Sequence, residues 1–179
     1  VNSITVHDKE FVSFISEEQI AARVTKLAAQ MKADYQDKNP LFIGVLNGSF
    51  MFVADLMKAL DIDCEVTFIR LSSYEGMEST GSVRQVLGLQ ENVFGRHVVL
   101  LEDIVDSGLT MANTVEFFKE RGPKSIQIAT LLTKPECLEK ELDMKYVGFE
   151  IPEKFVVGYG LDYDGNGRNL KDIYQLKEG

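Results

Sequence analysis

The sequence predicts an α/β fold: a parallel central sheet flanked by helices, with a small cap built from the terminal segments. Three observations predict it. Aliphatic runs at 41–46, 98–101 and 125–132 have the continuous apolar character of strands buried on both faces. Segments of helical spacing separate them, so strand and helix alternate from 41 to 132, as in a parallel sheet. Beyond 132 the alternation breaks. Strands expected near 146–149 and 154–159, with the Gly-rich tail, are therefore assigned to the cap.

Taken in order, Ser16-Glu17-Glu18-Gln19 reads as a capping box. Ile20, Val24, Leu27, Met31 and Tyr35 then trace one face of a long helix that stops before Asn39-Pro40. Residues 41–46 form a buried strand, Asn47-Gly48 a tight turn and 50–60 a second helix. Ile62, Cys64, Val66 and Phe68 alternate as a half-buried strand should. Residues 74–84 are polar, contain two glycines and lack periodicity, which marks a mobile loop. Val98-Val99-Leu100-Leu101 reads as a fully buried strand. Met111, Val115 and Phe118 share a face of the helix that follows.

Composition sets bounds. A chain of 179 residues fits one domain spanning 1–179, with a proper core. Its 45% hydrophobic and 26% charged content is ordinary for a globular protein. A net charge of −9 and a pI near 4.8 argue against nonspecific binding to nucleic acid or an anionic membrane. No apolar run approaches a membrane span, and no N-terminal stretch has signal-peptide anatomy. The first residue is Val1 rather than Met, as in a processed or trimmed start. Cys64 and Cys137 are isolated, and a reduced cytoplasmic compartment accounts for them most simply. His7 and His97 have no triad or metal arrangement around them. Neither is assigned chemistry, and His97 reads as a surface residue.

The most informative stretch runs from Val98 to Met111. Two carboxylates, Glu102 and Asp103, follow the four aliphatics, and a loop with Asp106, Ser107, Gly108, Leu109 and Thr110 opens the helix. Backbone N–H groups at a helix start attract anions, and Gly108 and small hydroxyl residues allow close approach. There is no Gly-Lys-Ser/Thr and no G-x-G-x-x-G. Carboxylates beside a phosphate nest suit ribose hydroxyls and a magnesium ion, which together point to a phosphoribosyl group. Ending a strand and capping a helix would also use such residues. Two consecutive acids after four buried aliphatics, at the sheet edge where open α/β proteins bind ligands, favour function. Leu46-Asn47-Gly48 repeats the geometry one strand earlier.

The Glu102–Thr110 run resembles the phosphoribosyl-pyrophosphate signature of the type I phosphoribosyltransferases. With FIRLSSY at 68–74, LLTKPE at 131–136 and VGFEIPEKFVVGYGLDY at 147–163, the resemblance narrows to the hypoxanthine (hypoxanthine-guanine) phosphoribosyltransferases, over about 15–174. It implies a type I phosphoribosyltransferase-like sheet and a magnesium-dependent purine salvage enzyme. This would join hypoxanthine, and guanine, to phosphoribosyl pyrophosphate. The ribose and its phosphate would be held by Glu102, Asp103, Asp106, Ser107, Gly108, Leu109 and Thr110, with Asp106 accepting the proton from the purine's imidazole ring. Leu46, Asn47 and Gly48 would bind pyrophosphate through their backbone across a non-proline cis peptide, assisted by Arg70 and Arg168. Lys134 would donate to the purine six-oxo group, Phe155 would stack on the base, and the Val156 backbone would read its edge. Asp162 would lie near the exocyclic position and join Glu102 and Asp103 around magnesium. Ser73 and Tyr74 would head a loop closing over the reacting centre.

Two departures stand out. Asn47 replaces the Lys or Arg usual in the middle of the tripeptide. Asp164-Gly165-Asn166-Gly167 replaces bulkier or aromatic residues before the arginine. A preference for xanthine stays open. A regulator that senses phosphoribosyl pyrophosphate and binds nucleic acid is disfavoured by the acidic pI and the lack of a basic helix. An apolar helix face around Phe50, Met51 and Phe52 points to a homodimer or homotetramer.

Overall fold

The computed structural model describes residues 2–72 and 85–179. Ser73, Tyr74 and the remainder of the expected 74–84 loop lie outside the described residues.

Strands β1 (Ser3–Val6) and β2 (Lys9–Ile15) form an N-terminal hairpin that leads into α1 (Glu17–Tyr35). The capping box is present: Gln19 N–H donates to Ser16 Oγ at 3.2 Å, and Ser16 N–H to Gln19 Oε1 at 2.9 Å. The predicted face from Ile20 to Tyr35 is buried. The chain continues through β3 (Leu41–Leu46), α2 (Phe50–Ala59), β4 (Glu65–Ser72), β5 (Gln85–Leu87), β6 (His97–Val105), α3 (Leu109–Lys119), β7 (Ser125–Thr133) and β8 (Tyr146–Glu150). It ends with the short β9 (Val156–Val157) and β10 (Ile173–Leu176).

Among the described residues, six strands build the main sheet in the order β5-β4-β3-β6-β7-β8, and of these only β5 is antiparallel to its neighbour. Side-chain alternation splits the β6 aliphatics between two cores. Val99 and Leu101 join α1 and α2 on one face, while Val98 and Leu100 join α3 on the other. That division positions the site. Neighbouring strands β3 and β6 send their following helices to opposite faces, so their connections diverge and leave a crevice at the carboxyl edge. The second sheet, β1-β2-β10-β9, is antiparallel and built from the terminal segments, as expected of the cap.

Several local expectations need correcting. Residues 146–149 belong to the main sheet, where β8 pairs in parallel with β7. A crossover of about a dozen residues suffices to bring a chain back parallel, with or without a full helix; here it holds only the 3-10 turn Pro135–Cys137. The strand expected over 154–159 shrinks to two residues, because Gly158, Tyr159 and Gly160 all take positive φ and turn the chain. The strand expected from Ile62 starts at Glu65. Its Val66 and Phe68 remain 45% and 38% exposed, because helices do not fully cover that end of the sheet, while Ile69 points into the α3-side core. Phe52 is core rather than surface, so the exposed part of the α2 face is Phe50 with half-buried Met51. His97 is half-buried, with Nδ1 2.6 Å from Ser125 Oγ, and burial lowers its pKa below the ordinary imidazole value.

Candidate active site

At the carboxyl ends of β3 and β6 lies a cleft of about 320 Å³. Its walls come from three stretches far apart in sequence: the loop after β3, the end of β6 with the start of α3, and the tail residues Asp162 and Arg168. Glu102 and Asp103 lie within β6 rather than after it, since the strand runs on to Val105. Glu102 is buried, and its Oε1 accepts the Asp103 N–H at 3.0 Å. Asp103 Oδ1 accepts the Ile104 N–H at 2.7 Å. These bonds hold both carboxylates against the strand they stand on.

The loop after β3 has the cis peptide at Leu46–Asn47. Gly48 is there from necessity. A Cβ on it would stand 1.7 Å from Asp103 Oδ2 and 2.6 Å from Asp103 Cγ. Gly160 is required in the same way, since its Cβ would come within 2.1 Å of the Gly48 carbonyl oxygen. The tail thus lies backbone to backbone on the β3 loop. Arg168 fixes it, donating from Nη1 to the Gly160 carbonyl at 2.7 Å and pairing through Nη2 with Asp162 Oδ1 at 3.2 Å.

The loop between β6 and α3 presents the first amides of a helix to the cleft, a geometry that can receive an anion. Gly108, at φ +81°, opens the helix and offers no side chain to its first amides; Ser107 Oγ takes only the Leu109 N–H, at 3.3 Å. The segment after β7 braces this loop. Lys134 N–H donates to the Val105 carbonyl at 3.1 Å and Glu139 N–H to the Ser107 carbonyl at 2.8 Å. Lys134, only 8% exposed, reaches back so that its Nζ lies 3.3 Å from Asp106 Oδ2. Cys137 sits beside them, its thiol pushed up by burial and then by the Glu153 and Asp106 carboxylates.

The cleft therefore brings together Leu46, Asn47, Gly48, Glu102, Asp103, Asp106, Ser107, Gly108, Thr110, Asp162 and Arg168. Lys134 joins through Asp106. Leu109 begins α3 without lining the cleft and is 41% exposed. Arg70 is opposite Leu46 in the β3–β4 register but is outside the lining. Phe155 and Val156 are outside it too. Phe155 is 45% exposed, with Tyr163 and Phe11 ring centroids 5.7 and 6.1 Å away, and Val156 is buried and paired with Gln175. Among the described residues, no three His, Cys, Asp or Glu side chains converge as a metal cage. Glu102, Asp103 and Asp162 share the cleft without forming one. Sequence reasoning missed Val45, Leu71, Ile104, Val105 and Met111, apolar lining residues with no chemical signature.

Comparison with known proteins fits this geometry. Residues 14–164 match the phosphoribosyl transferase domain. The hypoxanthine-guanine phosphoribosyltransferase of Bacillus subtilis (strain 168) is 47% identical over 172 residues, covering 96% of this chain and 95% of that protein. This chain belongs to the hypoxanthine-guanine phosphoribosyltransferase family. The Streptococcus pneumoniae R6 member is 45% identical over 92% of both chains. Among solved family members, the Bacillus anthracis enzyme superposes with a TM-score of 0.86 at 40% identity, covering 92% of this chain and 98% of that one. A Staphylococcus aureus hypoxanthine phosphoribosyltransferase gives 0.88 at 38% identity, covering 99% and 98%.

Proposed function

We propose that this chain transfers the phosphoribosyl group of phosphoribosyl pyrophosphate to hypoxanthine, and to guanine, releasing pyrophosphate. The observation that carries the reading is the Lys134–Asp106 pair at the rim of a cleft that already has an anion loop on each side. The six-oxo oxygen and the imidazole ring lie on one edge of an oxopurine. A purine on that pair offers its oxygen to the Lys134 ammonium, a donor-only group, and its imidazole proton to the Asp106 carboxylate.

Amides and hydroxyls from Asp106 to Thr110 would hold the sugar's phosphate. The backbone at Leu46–Gly48 would meet pyrophosphate, with Arg168 alongside and Arg70 approaching from the β4 edge. Phe155 would stack on the base, and the Val156 and Asp162 backbones would read its edge. Because the anomeric carbon becomes cation-like, a dry site with preorganised charge lowers the barrier.

The donor set suits magnesium. Carboxylate oxygens fit a hard cation, and this ion binds through one or two carboxylates while substrate oxygens and waters complete its shell. Glu102 and Asp103, with Asp162 nearby, would hold it. When bound, it neutralises charge on the departing pyrophosphate.

Three large apolar side chains, Phe50, Val66 and Phe68, are left 38–45% exposed and suit self-association. A homodimer or homotetramer would cover them. A cytoplasmic location fits two free cysteines. Among the described residues no helix is long and apolar enough to cross a membrane. The deciding experiment supplies purified protein with magnesium, phosphoribosyl pyrophosphate and each purine base in turn. Turnover with hypoxanthine and guanine is expected, and turnover with adenine alone would overturn the reading.

A further inference from the structure

The structure shows what holds the tail loop Asp164-Gly165-Asn166-Gly167 in place. Within the loop, Tyr163 and Asn166 exchange backbone hydrogen bonds at 2.8 and 3.1 Å, and Gly165 N–H donates to Asp162 Oδ2 at 2.8 Å. Asp164, Gly165 and Gly167 all take positive φ, so the turn is sharp and has no apolar filling of its own. Its outer anchor is the turn between β1 and β2, 155 or more residues away in sequence. Tyr163 donates its hydroxyl to Asp8 Oδ1 at 2.6 Å. His7 Nε2 lies 3.0 Å from the Asp164 carbonyl oxygen and 2.8 Å from the Asn166 amide, and its ring meets Tyr163 edge-on at 5.8 Å. Tyr163 in turn presents its ring edge-on to exposed Phe155.

We infer that the N-terminal hairpin turn is a positioning element of the purine pocket: Asp8 and His7 clasp the tail loop and fix Tyr163 against Phe155. The inference rests on Phe155 being the platform for the base. The same hydrogen bond holds the Asp8 carboxyl below the ordinary aspartate value and the Tyr163 phenol above its own. Neither His7 nor Asp8 touches substrate; both act through Tyr163 and the loop.

The test uses Tyr163→Phe, Asp8→Ala, the double variant and Asp8→Asn, whose amide oxygen can still accept the Tyr163 hydroxyl. Losing one hydrogen bond should raise KM for hypoxanthine about three- to tenfold. The kcat and the KM for phosphoribosyl pyrophosphate should stay near wild type. The double variant should be no worse than either single one, and Asp8→Asn should stay close to wild type. Amide hydrogen exchange over 162–168 reads the clasp without substrate and should quicken in Asp8→Ala. Unchanged exchange, an unchanged hypoxanthine KM, additive single effects or an equal rise in both KM values would overturn the inference. Failure of the wild type to use hypoxanthine would instead overturn the purine reading, with exchange still deciding whether the clasp exists.

Discussion

Replacing Gly48 with alanine adds one methyl group where the structure has no room for it. The new Cβ would lie 1.7 Å from Asp103 Oδ2, 2.6 Å from its Cγ and 3.3 Å from its Cβ. Because three successive atoms are crowded, a small tilt of the carboxylate does not relieve the clash; the side chain must rotate away. Rotation breaks the 2.7 Å hydrogen bond that Asp103 Oδ1 accepts from Ile104. A bond to a charged acceptor contributes roughly 1.5–3 kcal/mol, and overpacking a tight site costs about 1–3 kcal/mol. The melting temperature should fall by about 2–4 °C for each kcal/mol in a chain of this size. Since the displaced carboxylate and the disturbed loop both face the cleft, kcat/KM for phosphoribosyl pyrophosphate should drop by about tenfold to a hundredfold. The control is a double-mutant cycle. In an Asp103→Ala background the obstacle is gone, so adding Gly48→Ala should cost little further in melting temperature or kcat/KM. The argument is refuted if Gly48→Ala behaves as wild type, or if it costs as much with Asp103 removed.

Other perturbations test separate parts of the site. Asp106→Asn keeps shape but cannot accept a proton, so turnover should fall about 10²–10⁴-fold with phosphoribosyl pyrophosphate binding retained; near-normal turnover at saturating substrate contradicts the base assignment. Lys134→Ala should cost roughly 1.5–3 kcal/mol in the hypoxanthine specificity constant. Wild type should barely use adenine, because a buried donor facing its amino group is left unpaired; comparing specificity constants for both bases in both proteins checks this. Away from the cleft, Tyr146 donates to Asp34 Oδ2 at 2.5 Å and, with Lys145, holds that carboxyl below the ordinary aspartate range. Stability from a lowered carboxylate is fully present above its unfolded value, about 3.9, and is lost as pH falls through the lower folded value. Tyr146→Phe should therefore be destabilised near neutrality, with the gap to wild type narrowing below pH 4 in denaturant titrations. A gap that is constant with pH would show that the pair contributes nothing through ionisation.

Much of this architecture is legible in the sequence where local rules govern it. The Ser16–Gln19 box, the buried face of α1 and the two-sided burial of Val98 to Leu101 all follow from spacing alone. The carboxylates on β6 and the Gly-led start of α3 are likewise local, so the placement of this wall of the cleft could be read directly. What failed depended on distant partners. β8 joins the main sheet because β7 has a free edge, which its own residues do not reveal. Val66 and Phe68 alternate as predicted, but their exposure depends on where the helices stop. The roles expected of Lys134 and Phe155 rest on family resemblance, since a lysine after a strand has no distinctive local signal. His7 and Asp8 gave none at all, because their partners lie across the whole length of the chain.

The small sheet has an implication for how the molecule comes into being. β10 lies between β2 and β9, so the strand that stitches the hairpin to the tail is made after both strands that it joins. On the ribosome, the hairpin and the main sheet can emerge and settle while the far wall of the cleft still has no seat. A message cut short before Ile173 would yield a chain whose loop after β6 is present but whose tail has no strand to bind it to β2. Closure of the small sheet therefore waits for residues 173–176, and the tail side of the cleft gains its tie to β2 only once they have emerged.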